Sequence, residues 1–161
     1  MLLRLLLIET IQNGGLFSPS FLLGGIIMIV LSNTTAQVVQ PGQAITFNTV
    51  VLHTGNGECH RPGTSSVKMK ANGIYEVSFH GNIGSTEEGT TAFLAIAVGG
   101  EVLPETRMVS ETSTDSELNN VGTITAVKNC CCDYDRLTVV NTGINPVNIG
   151  ESPSFFIKRI S

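Results

Sequence analysis

A chain of 161 residues is long enough for one well-buried core, and no shift of composition divides the part after Leu31 into two domains. Charged residues make up 14%, against an average of about 25%, and Thr, Ser, Asn and Gly stand where Lys and Glu are usual. A net charge of −4 with no run of Lys or Arg excludes nucleic-acid binding through a basic patch.

The first 31 residues stand apart. Met1 to Ile8 is apolar except for Arg4, Glu9 to Gly15 is a polar break, and Phe21 to Leu31 is a second apolar run. Neither run reaches the ~20 residues that span a bilayer, so no stable membrane span is expected. A signal-peptide reading takes Phe21 to Leu31 as the apolar region and Thr34-Thr35-Ala36 as the cleavage site, but a positively charged start is nearly missing. The preferred expectation is that translation begins at Met28, with residues 1–27 an apolar leader or an extension outside the mature protein, and residues 28–161 forming one domain.

From Met28 onward the chain reads as strands. Met28 to Leu31 and Gln37 to Val39 open it, Pro41-Gly42 makes a turn, and Ala44 to Leu52 is the next strand. Thr54 to Thr64 is expected to be a loop, because Gly55, Gly57, Pro62 and Gly63 oppose regular structure. Ser66 to Lys70 is a short strand, joined through Asn72-Gly73, as a tight hairpin, to Ile74 to Ile83. In that strand Tyr75, Val77 and Phe79 share one face, and His80 points the other way. Gly84 to Gly89 is a polar loop, Thr90 to Val98 a strand, Gly99-Gly100 a turn, and Glu101 to Leu103 ends at Pro104. Arg107 to Ser110, Asn119 to Lys128, Arg136 to Asn141, Val147 to Ile149 and Ser154 to Ile160 complete about ten strands. Nothing after Leu31 shows the i, i+3, i+4, i+7 recurrence of a helix, so the fold class is an all-β, two-sheet sandwich of antiparallel strands.

No catalytic constellation stands out, and no enzyme activity or cofactor is expected. A cysteine nucleophile needs a histidine base beside it, whereas Cys59 and His60 are neighbours whose side chains diverge in extended chain. His53 and His80 lie on or beside strands. Asp133, Asp135 and Glu58 are carboxylates of a kind that hold calcium, but an acidic turn is more often simply solvated. Cys130-Cys131-Cys132 with a distant Cys59 does not match the paired spacing of a zinc site, so no metal is expected. The sequence leaves two main states open, a disulfide from Cys59 to one of Cys130, Cys131 or Cys132, and free buried thiols. Cross-links between subunits are a third.

Two strands fail to alternate. Phe93-Leu94-Ala95-Ile96-Ala97-Val98 and Phe155-Phe156-Ile157 are apolar on both faces, where a sandwich strand usually has one wet face. The second face needs a cover, and another copy of the chain is the expected one, in preference to a loop or the leader.

The order of Pro41 to Val50, Val67 to Val77, Leu94 to Pro104 and Pro153 to Arg159 resembles the C1q/tumour-necrosis-factor-type jelly roll. The pieces Phe47-Asn48-Thr49-Val50, Gly73-x-Tyr75-x-Val77 and Gly99-Gly100-x-x-Leu103-Pro104 carry the likeness. It is nearest to the bacterial and bacteriophage branch, represented by the C-terminal domain of the exosporium collagen-like glycoprotein, and it spans about residues 28–161. The resemblance implies a homotrimer with the C-terminal strand near the threefold axis. Phe93, Ala95, Ala97, Phe156, Lys158 and Ile160 are then the expected trimer interface. It also implies a structural or surface-display role as a virion decoration, fibre tip or cell- or spore-surface protein, in company with a capsid, fibre or envelope protein. No Gly-X-Y stalk is present, which favours a free-standing or phage-borne trimer. The alternative role is a glycan- or receptor-binding adhesin that uses the loops Thr54 to Thr64, Gly84 to Gly89 and Glu111 to Leu118.

Overall fold

The computed structural model describes residues 26–55, 58–114, 117–129 and 135–161. Among them thirteen strands form two antiparallel sheets, against about ten expected. In chain order they are β1 (Met28–Ser32), β2 (Gln37–Val39), β3 (Thr49–Thr54), β4 (Glu58–His60), β5 (Val67–Met69), β6 (Gly73–Ser85) and β7 (Thr91–Val98). There follow β8 (Glu101–Val102), β9 (Met108–Glu111), β10 (Asn119–Asn129), β11 (Asp135–Asn141), β12 (Val147–Ile149) and β13 (Ser154–Arg159). The seven-stranded sheet runs β2-β12-β6-β13-β1-β3, with β10 on the other edge of β6. The second sheet has six strands in the order β4-β5-β11-β7-β8, with β9 also on β7. The expected all-β, two-sheet architecture is present.

Alternation dictates the core. In β6, Tyr75, Val77 and Phe79 point inward and are fully buried, as are Phe155 and Ile157 of β13, Ile29 and Leu31 of β1, and Leu94 and Ile96 of β7. The Phe47 and Phe155 rings stack across this core with centroids 5.3 Å apart. Gly99 and Gly100 have φ of 60° and 93°, the left-handed pair that closes the tight β7–β8 hairpin where Val98 faces Glu101.

Three local expectations change. Asn72-Gly73 makes no hairpin, because β6 is already paired on both edges, by β10 along eleven residue pairs and by β13 and β12. The turn instead carries the chain from one sheet to the other, with Asn72 alone at φ 55°. Ala44 to Leu52 is not one strand: Ala44 bridges Val140 in the second sheet, Phe47 bridges Thr64, and only from Thr49 does the chain join β1. This crossing drives Ile45 and Phe47 into the core and is held by Asn33, whose amide donates to Thr46 O and whose Oδ1 accepts from Asn48 N at 2.7 Å. Within the expected loop Thr54 to Thr64, β4 pairs with β5, with Gly55, Pro62 and Gly63 lying outside the paired residues.

Deleting the Phe155 ring leaves a void at the centre of both sheets. Phe155→Ala should lower unfolding stability by about 3–5 kcal/mol in urea titration; a loss below about 1 kcal/mol would contradict this placement.

Candidate functional site

The register of the seven-stranded sheet lines up its outward side chains in rows. Leu52 of β3 faces Val30 of β1, Val30 faces Phe156 of β13, Phe156 faces Ser78 of β6, and Ser78 faces Ile124 of β10. Four of these five are large and apolar, yet they point away from the core. Ile124 is 66% exposed and Leu52 42%, while Phe156 and Val30 are half-buried. Among the described residues no element of the chain lies over this row. One row toward the chain end, Thr54, Met28, Lys158, Glu76 and Ala126 follow, with Lys158 directly opposite Glu76. On the other side come Ser154, His80 and Gly122. The stripe is thus an apolar row with a polar border on the exterior of the sheet.

The expected interface residues divide between two surfaces. Phe156 and Lys158 lie on this face, with Ile160 just beyond β13, where its N–H donates to Ile74 O at 2.7 Å. Phe93, Ala95 and Ala97 lie on the outer face of the other sheet, across the sandwich, and do not join Phe156 in one patch. They are covered within the chain. Ala95 and Ala97 are 1% exposed between neighbouring strands, and the Arg107 guanidinium lies over the Phe93 ring, 4.2 Å from its centroid. The turn at Thr142 and Gly143 closes on Phe93 from the other side, with Thr142 N donating to Phe93 O at 3.1 Å. The double apolar face of β7 therefore arises from small residues packed flat and one aromatic ring capped by arginine.

Sequence reasoning missed Val30, Leu52 and Ile124. Ile124 carried a readable signal, as the only large apolar side chain in the outward series Asn120, Gly122, Ile124, Ala126 and Lys128. Leu52 was hidden by a bulge between Val30 and Leu31 that shifts the register of β3.

The remaining candidates are placed as follows. His60 has Nδ1 3.1 Å from Ser66 O and Nε2 3.0 Å from Phe47 O, so both ring nitrogens face backbone carbonyls and the ring acts as a local staple. His53 is exposed on the edge strand β3. The Cys59 backbone pairs with Lys68, while its side chain and Cys130, Cys131 and Cys132 lie outside the described residues, as do Asp133 and the leader up to residue 25. Among the described residues no three His, Cys, Asp or Glu side chains converge, and no helix is long and apolar enough to cross a membrane. Two of the three expected recognition loops meet at one end of the sandwich: Gly89 N donates to Thr112 O at 2.8 Å, and a cleft of about 360 Å³ runs between Gly89, Thr90, Glu111 and Ser113.

The Glu117 carboxylate orders the rim of that cleft, accepting from Ser113 Oγ at 2.6 Å, Ser113 N at 2.8 Å and Thr114 N at 3.2 Å. These donors, the Ser113 hydroxyl foremost, hold its pKa below the ordinary glutamate value.

The described residues superpose on known jelly rolls. The Eiger TNF of S. frugiperda matches with a TM-score of 0.65 at 13% identity, over 84% of this chain and 93% of that one. The globular domain of zebrafish complement 1qA protein gives 0.58 at 13% identity, over 83% and 95%. Murine APRIL at pH 5.0 gives 0.57 at 14% identity, over 83% and 98%. The chain has the TNF/C1q jelly-roll fold. No family model and no curated protein matches its sequence, and at these identities the likeness of this jelly roll extends to fold alone.

A depressed carboxylate supports its contacts above its unfolded pKa and releases them as pH falls through the lower folded one. In an NMR titration the Glu117 midpoint should lie below the ordinary glutamate range, and Ser113→Ala should move it back up. An unmoved midpoint would show that Ser113 does not hold this loop.

Proposed function

We propose that this jelly roll is a self-associating structural module, assembling as a homotrimer through the outer face of its seven-stranded sheet. One observation carries the reading: the row Leu52, Val30, Phe156, Ser78 and Ile124 is apolar except for Ser78, spans five adjacent strands and has no cover among the described residues. Apolar area removed from water contributes about 25 cal/mol per Å², so a contact over this row has a driving force that a polar sheet face lacks. The sparse charge favours the same use, since only Lys158, Glu76 and Lys128 among these outward positions would need partners on burial. The threefold arrangement follows from the C1q/TNF-type resemblance in the sequence. So does the role, a non-enzymatic display unit on a virion, fibre tip, cell or spore surface.

A second reading is compatible with the first. The cleft between the loops at Gly89 and Thr112 lies at one end of the sandwich, and the exposed Glu111 carboxylate on its rim can accept hydrogen bonds of the kind a glycan hydroxyl donates. Binding on a glycan array that is lost on reshaping this rim would support it.

Self-association is tested by sedimentation. The wild-type chain of 17.1 kDa should sediment at about three times its mass, and Ile124→Glu should sediment as a single folded chain. Ile124 is the better probe than Phe156, because its exposure in one subunit lets the variant fold. A monomeric wild type, or an Ile124→Glu trimer of unchanged strength, would contradict the reading.

A further inference from the structure

His80 stands one row from the apolar stripe, directly opposite Gly122 in β10 and Ser154 in β13. Its ring lies down on the sheet: a methyl group at Gly122 would collide with Nδ1 and Cε1 of the imidazole, so the bare backbone of β10 is what makes room for it. Five strands about 4.8 Å apart, with rows about 6.8 Å apart, give roughly 130 Å² per row. A standard contact covers about 800 Å² on each partner. Any association across the Phe156 row therefore also covers His80, which is exposed in the single chain.

The surroundings of His80 offer no counter-charge. From β10 it meets Asn120, Gly122 and Ile124, from β13 Ser154, and along its own strand Ser78 and Asn82. Among the described residues no Asp or Glu occupies its row or either flanking row. Glu76 lies two rows away, beyond the apolar stripe and opposite Lys158, Lys128 is further along β10, and the exposed Glu151 sits in the turn before β13.

We infer that His80 is an acid-sensitive latch on self-association: neutral, it is covered in the contact, and protonated, it places a cation in a desolvated surface with no carboxylate in its row. This rests on the self-association reading above. A cation without a counter-charge is costly to desolvate, so covering the ring disfavours its protonated form and the assembly binds fewer protons than its separated subunits. Association is then at full strength at neutral pH and weakens as the solution becomes acid enough to protonate histidine. The general charge of the protein acts in the opposite sense, since −4 at pH 7 shrinks toward zero near the isoelectric point of 5.3 and self-repulsion fades.

The experiment is sedimentation velocity over a concentration series at pH 7.5 and 5.5, on the full chain and on His80→Gln, with circular dichroism at both pH values. The expected result is a wild-type assembly that needs at least about tenfold more protein at pH 5.5 while its β signal is unchanged, and a His80→Gln assembly of equal strength at both. Wild-type association that ignores pH overturns the latch alone. So does the same pH dependence in His80→Gln, or a loss of the β signal at pH 5.5. A wild type that is monomeric at pH 7.5 overturns the latch and the parent reading together.

Discussion

The structure depends on the pairing of β6 along both of its edges. Eleven residue pairs to β10 on one side, and the runs to β13 and β12 on the other, fix which side chains of this thirteen-residue strand face inward. A slip of one residue would exchange Tyr75, Val77 and Phe79 for Glu76, Ser78 and His80 and dissolve the core. The same constraint sets the outer face, because Phe156 and Ile124 lie beside Ser78 only in this register. Core and outer apolar row are thus two sides of one alignment.

That coupling explains why an apolar row can persist on the outside. Within a single chain Phe156 is flanked on both sides, by Val30 and Ser78, and is half-buried, while Ile124 on β10 has Ser78 alone beside it in the row and is 66% exposed. Each exposed large side chain alone is unremarkable on a protein surface. Four in one transverse line, bordered by Lys158 and Glu76 on one side and His80 on the other, form a contiguous feature with a polar rim. The other sheet shows the contrast: Phe93 also points outward, but Arg107 and the Thr142–Gly143 turn already cover it.

Period-two alternation in Ile74 to Ile83, with Gly, Pro and Asn between the other short segments, made the sandwich and most strand positions legible in the sequence, and the Gly99-Gly100 turn was announced correctly. Pairing partners were less legible. Asn72-Gly73 carries a hairpin signal, but the signal is local and yields to the long-range pairing of β6. The crossing at Ala44 to Asn48 was hidden because Ile45 and Phe47 alternate as a strand would, while the hydrogen bonds of Asn33 that hold it come from a residue distant in sequence. The outer apolar row was half legible: Phe156 was marked by the doubled aromatics, whereas Val30, Leu52 and Ile124 become one feature only after the register is known. Ala95 and Ala97 read as apolar cover for a partner because composition does not reveal that neighbouring strands already enclose such small side chains.

The placement of the contact is tested most directly by cross-linking across it. Nitrogen-14 and nitrogen-15 chains refolded together and treated with a short amine-reactive linker at neutral pH should yield Lys158 and Lys128 cross-links that join one light and one heavy peptide. Links through these two lysines that are all of a single isotope, in a protein that sediments as an oligomer, would contradict the assignment of this sheet face to the assembly.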